Sequence, residues 1–172
     1  PATSFGEAVT LTLDANPASG ALAGTTTVVA ANGVATFSTL SIDKMGSGYT
    51  LRAAASGFAP VTSSAFGITP GAAAQLAFTV QPGTTTAGAT ITPAIRVTAR
   101  DALGNTVTSF VGNVTVAITA ASGTPGATLS GTRTVAAVAG VATFSTLSID
   151  KSGTGYTLTA TASGLTGAVS AA

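Results

Sequence analysis

Residues 33–57, GVATFSTLSIDKMGSGYTLRAAASG, return at residues 140–164 as GVATFSTLSIDKSGTGYTLTATASG, changed only at Met45/Ser152, Ser47/Thr154, Arg52/Thr159 and Ala54/Thr161. The copies stand 107 residues apart, far beyond a solenoid or propeller-blade period and close to the length of one autonomous domain. Each copy is therefore expected to build its own core. Ser4 and Phe5 match Ser109 and Phe110 at a spacing of 105, so the second copy carries a two-residue insertion in a Gly/Pro/Ser loop. The register leaves residues 75–105 without counterparts ahead of Pro1, and residues 66–70 without counterparts after Ala172. The expected domains are 1–70, a partial repeat lacking its first strands, and 71–172, a near-complete repeat lacking its last strand. A repeat without its first strands does not close a core alone. The chain opens at Pro1, Ala2 and Thr3 with no initiator Met and no signal peptide, which reads as a fragment or processed product.

Strand signals dominate. Leu76, Phe78 and Val80 alternate with Ala77 and Thr79, and Ile95 and Val97 keep that period up to a turn formed by Asp101, Gly104 and Asn105. Val114, Val116 and Ile118 put branched side chains on one face, as Val9, Leu11 and Leu13 do in the first copy. Further strands are expected over residues 134–138, 141–144, the stretch through Leu147 and Ile149, and 156–161. The short Ala runs at 53–55 and 72–74 have helix propensity, but no capped segment has helical periodicity. The fold class read from this pattern is all-β, with about seven antiparallel strands per repeat arranged as a two-sheet sandwich.

Asp43 followed by Gly46, Gly48 and Tyr49 recurs as Asp150, Gly153, Gly155 and Tyr156. Each looks like the start of an immunoglobulin-type F strand with its tyrosine corner, where the ring enters the core and the hydroxyl caps nearby backbone. QLAFTVQP at 75–82, VTARDALGN at 97–105, GVATF at 140–144, LSID at 147–150 and GYTL at 155–158 together resemble bacterial immunoglobulin-like repeats. Such repeats occur in large cell-surface and secreted proteins, including invasin- and intimin-like adhesins. The resemblance spans essentially the whole chain. It implies tandem immunoglobulin-like sandwiches without a disulfide, an extracellular or cell-surface setting, and a spacer role without catalysis.

Composition narrows the chemistry. Charged residues are 6% of the chain, the formal net charge is +1, and His, Cys and Trp are absent. Acid–base, thiol and metal chemistry therefore have little to work with, and neither a cofactor nor a metal is expected. Zero cysteine leaves stability to the packed core and the sheet hydrogen bonds. The mean hydropathy of +0.56 comes largely from Ala and Val, and Gly, Pro, Ser and Thr interrupt every long uncharged stretch, so no membrane insertion is expected. Six scattered basic residues form no footprint for nucleic acid.

Individual candidates are weighed against plainer readings. Asp43 with Lys44, and Asp150 with Lys151, suggest an intramolecular isopeptide bond, but neighbours on a strand point to opposite faces and no third, buried acid is evident. An exposed turn with the Asp bonding nearby backbone is the plainer reading. Asp101 and Asn105 as calcium ligands need more carboxylates than five dispersed acids offer, so the turn reading is preferred. Asn113, Val114 and Thr115 match the N-glycosylation pattern, which a Thr-rich chain also produces by chance. Phe58, Phe66, Phe78, Tyr49 and Tyr156 offer a sugar-stacking surface or, more simply, core, with Phe58 the candidate for an exposed end of the sandwich. The function expected is a non-enzymatic structural repeat forming a stalk, sheath or filament, with neighbouring copies of the repeat as partners in cis or as a homopolymer; continuation of the same polypeptide is the preferred source of the missing strands, and strand complementation between neighbouring subunits is the other. The alternative is an adhesin or carbohydrate-binding module recognising a glycan or surface ligand through sandwich-end loops.

Overall fold

A computed structural model of the chain describes residues 3–172; Pro1 and Ala2, on which the reading of the chain's opening rests, lie outside the described residues. The fold is all-β, and no helix occurs among the described residues. The chain divides into two compact units, Pro1–Pro70 and Gly71–Ala172.

The first unit contains β1 (Ala8–Leu13), β2 (Leu22–Ala23), β3 (Thr27–Val29), β4 (Ser41–Ile42), β5 (Gly46–Tyr49), β6 (Leu51–Ala55), β7 (Val61–Thr62) and β8 (Phe66–Ile68). These form one four-stranded sheet in the order β3-β1-β6-β7 and two isolated pairs, β2-β4 and β5-β8, all antiparallel.

The second unit contains β9 (Gln75–Val80), β10 (Ile95–Arg100), β11 (Asn113–Ile118), β12 (Leu129–Ser130), β13 (Thr134–Ala136), β14 (Val141–Phe144), β15 (Ser148–Ile149), β16 (Leu158–Thr161) and β17 (Ala168–Val169). Its four-stranded sheet, β13-β11-β16-β17, has the same pairing scheme as the first unit's, and β12-β15 corresponds to β2-β4. It adds a three-stranded sheet, β14-β10-β9. Residues from both sheets meet in one core: Ile95, Val97, Ala99 and Phe144 from one face, Val114, Val116, Leu158 and Ala160 from the other, each at most 2% exposed. Two antiparallel sheets closed over such a layer are a β-sandwich. Away from this layer, hydroxyls replace charges. Thr79 bonds Thr98 (2.9 Å), Thr115 bonds Thr134 (2.9 Å) and Thr119 bonds Thr159 (2.8 Å), cross-strand pairs that tie neighbouring strands without ionic partners.

The duplicated sequence folds differently in the two units. Val141–Phe144 is β14, with Ile95 paired to Phe144 and Thr98 to Val141. Residues 34–37, with the same sequence, form no strand, and Phe37 and Leu40 are half-buried where Phe144 and Leu147 are each 1% exposed. The turn leading into both segments is conserved in geometry: Ala31 exchanges two backbone bonds with Val34 (2.9 and 3.0 Å), as Val138 does with Val141 (2.9 and 3.0 Å). Gly33 (φ +79°) and Gly140 (φ +81°) supply the left-handed position this turn requires. Beyond the turn, only the second unit supplies a partner strand, β10.

Each unit holds one of the two tyrosines, Tyr49 or Tyr156, so tyrosine fluorescence in single Tyr→Phe backgrounds follows each unit separately. Phe144→Ala is expected to destabilise the second unit by about 3–5 kcal/mol, the range for emptying a packed core site. Phe37→Ala in the identical local sequence should cost the first unit clearly less. Urea denaturation checks this, and equal losses would refute the different burial of the twin rings.

Candidate functional site

The most highly bonded turn follows β10. The Asp101 carboxylate accepts from the backbone N–H of Leu103 (3.0 Å), Asn105 (2.8 Å) and Gly71 (3.0 Å), and from the Asn105 side-chain amide (3.0 Å). The Asp101 backbone N–H donates to the Asn105 carbonyl (2.9 Å), and Gly104 occupies the left-handed region at φ +83°. Asp101 and Asn105 are buried, at 3% and 8% exposure. The Asp101 carboxylate bonds its own turn and the Gly71 backbone ahead of β9, which is the geometry of a structural clasp. The Asn105 side-chain bond lowers the Asp101 pKa most. Burial pushes the other way, and the N–H groups of Gly71, Asn105 and Leu103 lower it further.

Asp43 and Asp150 act at longer range than an ordinary turn. Asp43 Oδ1 accepts from the N–H of Ala21 (2.6 Å), while Asp150 accepts from the N–H (2.7 Å) and hydroxyl (3.0 Å) of Thr128. Each acid therefore fastens a loop 22 residues upstream in sequence, a backbone partner near in space though distant along the chain. The Asp150 pKa is lowered chiefly by the Thr128 N–H. Lys151 Nζ donates to the Pro125 carbonyl (3.2 Å), which holds it in a loop contact rather than beside an acid acceptor.

Tyr49 and Tyr156 make the same hydroxyl bond. Tyr49 donates to the Lys44 carbonyl (2.9 Å) and Tyr156 to the Lys151 carbonyl (3.0 Å), in both cases five residues upstream. Their rings differ in environment: Tyr49 is fully buried and Tyr156 half-buried. Phe66 of β8 lies against Tyr49, with ring centroids 6.2 Å apart and planes tilted by 30°. Tyr156 instead lines a groove of about 670 Å³ in the second unit, with residues 82–87, Ile91, Ile149, residues 151–155, Leu158 and Ala172.

The remaining candidates scatter. Asn113 is exposed at the start of β11, opposite Ala136 of β13, on the face away from the core. Phe66 and Phe78 are half-buried. Phe58 is 63% exposed and meets Phe5 edge-on at 5.2 Å and 85°, so the simple core reading of the aromatics does not extend to it. Within the second unit, Asn113 and Phe78 are not among the residues that line the groove. Sequence reading missed the groove's second wall, residues 82–87, which lies in a Gly/Thr stretch without a recognisable motif. Among the described residues, no three His, Cys, Asp or Glu side chains are grouped to hold a metal ion, and no helix is long and apolar enough to cross a membrane.

No protein-family model and no curated protein matches the chain. Among solved structures, it superposes on part of a beta-glycosidase from Bacteroides vulgatus with a TM-score of 0.47 and 14% identity, covering 95% of this chain and 20% of that one. The corresponding values for Parabacteroides merdae beta-glucuronidase are 0.42, 15%, 95% and 20%. For Bacteroides uniformis beta-glucuronidase 3 they are 0.42, 16%, 97% and 21%. The chain thus spans about a fifth of the length of these proteins.

The lowered pKa values of Asp101 and Asp150 predict an acid-labile second unit. A carboxyl whose folded pKa lies below its unfolded value contributes stability that is complete above the unfolded value, about 4, and disappears as pH falls through the folded value. Thermal unfolding followed through Tyr156 should therefore be independent of this group near neutrality and weaken below about pH 4. Asp101→Asn should lower neutral-pH stability and make the acid slope shallower, with Asp150 supplying the remainder. An unchanged slope in that variant would contradict the clasp.

Proposed function

We propose that this chain is a non-enzymatic structural repeat of a bacterial extracellular or cell-surface protein, built of tandem immunoglobulin-like sandwiches that form a stalk, sheath or filament. The observation that carries this reading is the duplication itself: a segment of 25 residues recurs with four changes at the spacing of a whole domain. An array of equivalent domains sets length and display, whereas a catalytic site gains nothing from being copied into its neighbours. Two further features support it. The chain is 6% charged with no His or Cys, and its sheets are tied by Thr–Thr bonds instead of ion pairs. The structural features described above are clasps and corners that hold loops, with Asp101, Asp150, Tyr49 and Tyr156 all directed at backbone.

Surface proteolysis of intact cells of the source, followed by mass spectrometry, tests the setting. Peptides from residues 33–57 or 140–164 should be released before lysis; their release only after lysis would overturn the extracellular assignment. Selective binding by the full chain on a glycan array would move the reading to a carbohydrate-binding module.

A further inference from the structure

We propose that Asn32 is a site of spontaneous covalent modification: its side-chain amide is lost by ring closure with Gly33, leaving aspartate or isoaspartate at the tip of the turn between Ala31 and Val34. The reaction needs water and no enzyme, metal or oxidant. It stands apart from the structural reading above and does not depend on it.

The chain has four asparagines, and the structure leaves one of them open to this chemistry. Asn16 is followed by Pro17, whose nitrogen carries no hydrogen and cannot close the ring, and its amide is bonded at both ends to the backbone of Gly20 (2.8 Å each). Asn105 is 8% exposed, its amide donates to Asp101 (3.0 Å), and the branched Thr106 follows it. Asn113 is exposed but held in β11, and the next residue, Val114, is branched and 1% exposed. Asn32 is exposed, its side chain makes no hydrogen bond among the described residues, and glycine follows it, so no side chain shields the attacking nitrogen.

In the reaction the Gly33 nitrogen gives its proton to solvent and attacks Asn32 Cγ. The new N–Cγ bond closes a five-membered imide, the Cγ–Nδ2 bond breaks, and the amide nitrogen departs as ammonia after taking a proton from water. Water then adds to one of the two imide carbonyls. Opening at Cγ gives aspartate, and opening at the main-chain carbonyl gives isoaspartate. Local opening of the turn paces the first step. Asn32 sits at φ +51° between the paired backbones of Ala31 and Val34 (2.9 and 3.0 Å), and the Gly33 N–H is engaged by the Phe5 carbonyl at 3.2 Å, the long end of the hydrogen-bond range. An exposed two-residue loop tip belongs to the part of a fold that opens most readily.

The two products differ in effect. Aspartate tolerates the left-handed position and keeps the turn. Isoaspartate routes the main chain through the side-chain methylene, and the lengthened tip no longer fits the two bonds between Ala31 and Val34. The twin turn of the second unit has Ala139 at φ +48° ahead of Gly140, so it has the same backbone shape and no amide to lose.

The test incubates the full chain at mildly alkaline pH, follows each asparagine by peptide mass spectrometry, and labels isoaspartate with an isoaspartyl methyltransferase. Amide loss at Asn32 should lead that at Asn16, Asn105 and Asn113 and yield both products. Guanidinium chloride should accelerate it by removing the turn. In a Tyr156→Phe background, the unfolding midpoint read through Tyr49 should fall as isoaspartate accumulates, whereas Asn32→Ala, which copies Ala139, should hold its midpoint through the same incubation. Amide loss at Asn32 no faster than at Asn113 would overturn the site. Aspartate without isoaspartate would overturn the ring-closure route, and equal rates with and without denaturant would overturn the turn as the pacing step.

Discussion

An extended segment leaves a row of N–H and C=O groups along each edge, and whether a neighbour satisfies them governs this structure more than local sequence does. The duplication makes the constraint visible, because two nearly identical segments meet different neighbours. Residues 141–144 face β10 and become β14, and their Phe144 enters a closed core. Residues 34–37 leave the same turn and form no strand. The asymmetry reverses further along: Gly46–Tyr49 faces β8 and is β5, whereas residues 153–156 run beside a groove and form no strand. Side-chain burial follows pairing in both cases, with Phe144 deeper than Phe37 and Tyr49 deeper than Tyr156. β-propensity is thus expressed only where a partner is present, as expected of a preference that depends on context.

Around those ladders, the polar side chains secure loops. Asp101 gathers three donors from its own turn and the Gly71 N–H from a distant segment, Asp43 and Asp150 hold loops distant in sequence, and the tyrosine hydroxyls cap backbone five residues upstream. With no cysteine in the chain and no helix among the described residues, such fastenings define loop geometry while the sandwich layer of the second unit supplies the burial.

Much of the fold was legible in the residues. Alternation over β9, β10 and β11 gave the period and the buried face directly, and Asp101, Gly104 and Asn105 marked their turn by composition. What escaped reading was pairwise. Nothing in GVATF distinguishes residue 34 from residue 141, since the difference lies in β10, forty or so residues away in the chain and present in one unit only. The ties from Asp43 and Asp150 escaped for the same reason, because a carboxylate's partner across a loop is a property of register and not of neighbours in sequence. The groove was not legible: it joins a Gly/Thr stretch without a motif, residues 82–87, to residues 151–156, which are about seventy positions further along the chain.

Amide hydrogen exchange on the full chain tests the dependence of strand on partner most directly, because the twin segments have nearly the same sequence and hence nearly the same intrinsic exchange rates. The account predicts a crossed pattern, with residues 141–144 better protected than residues 34–37, and residues 46–49 better protected than residues 153–156. Equal protection within each pair, or the same unit ahead in both, would contradict it.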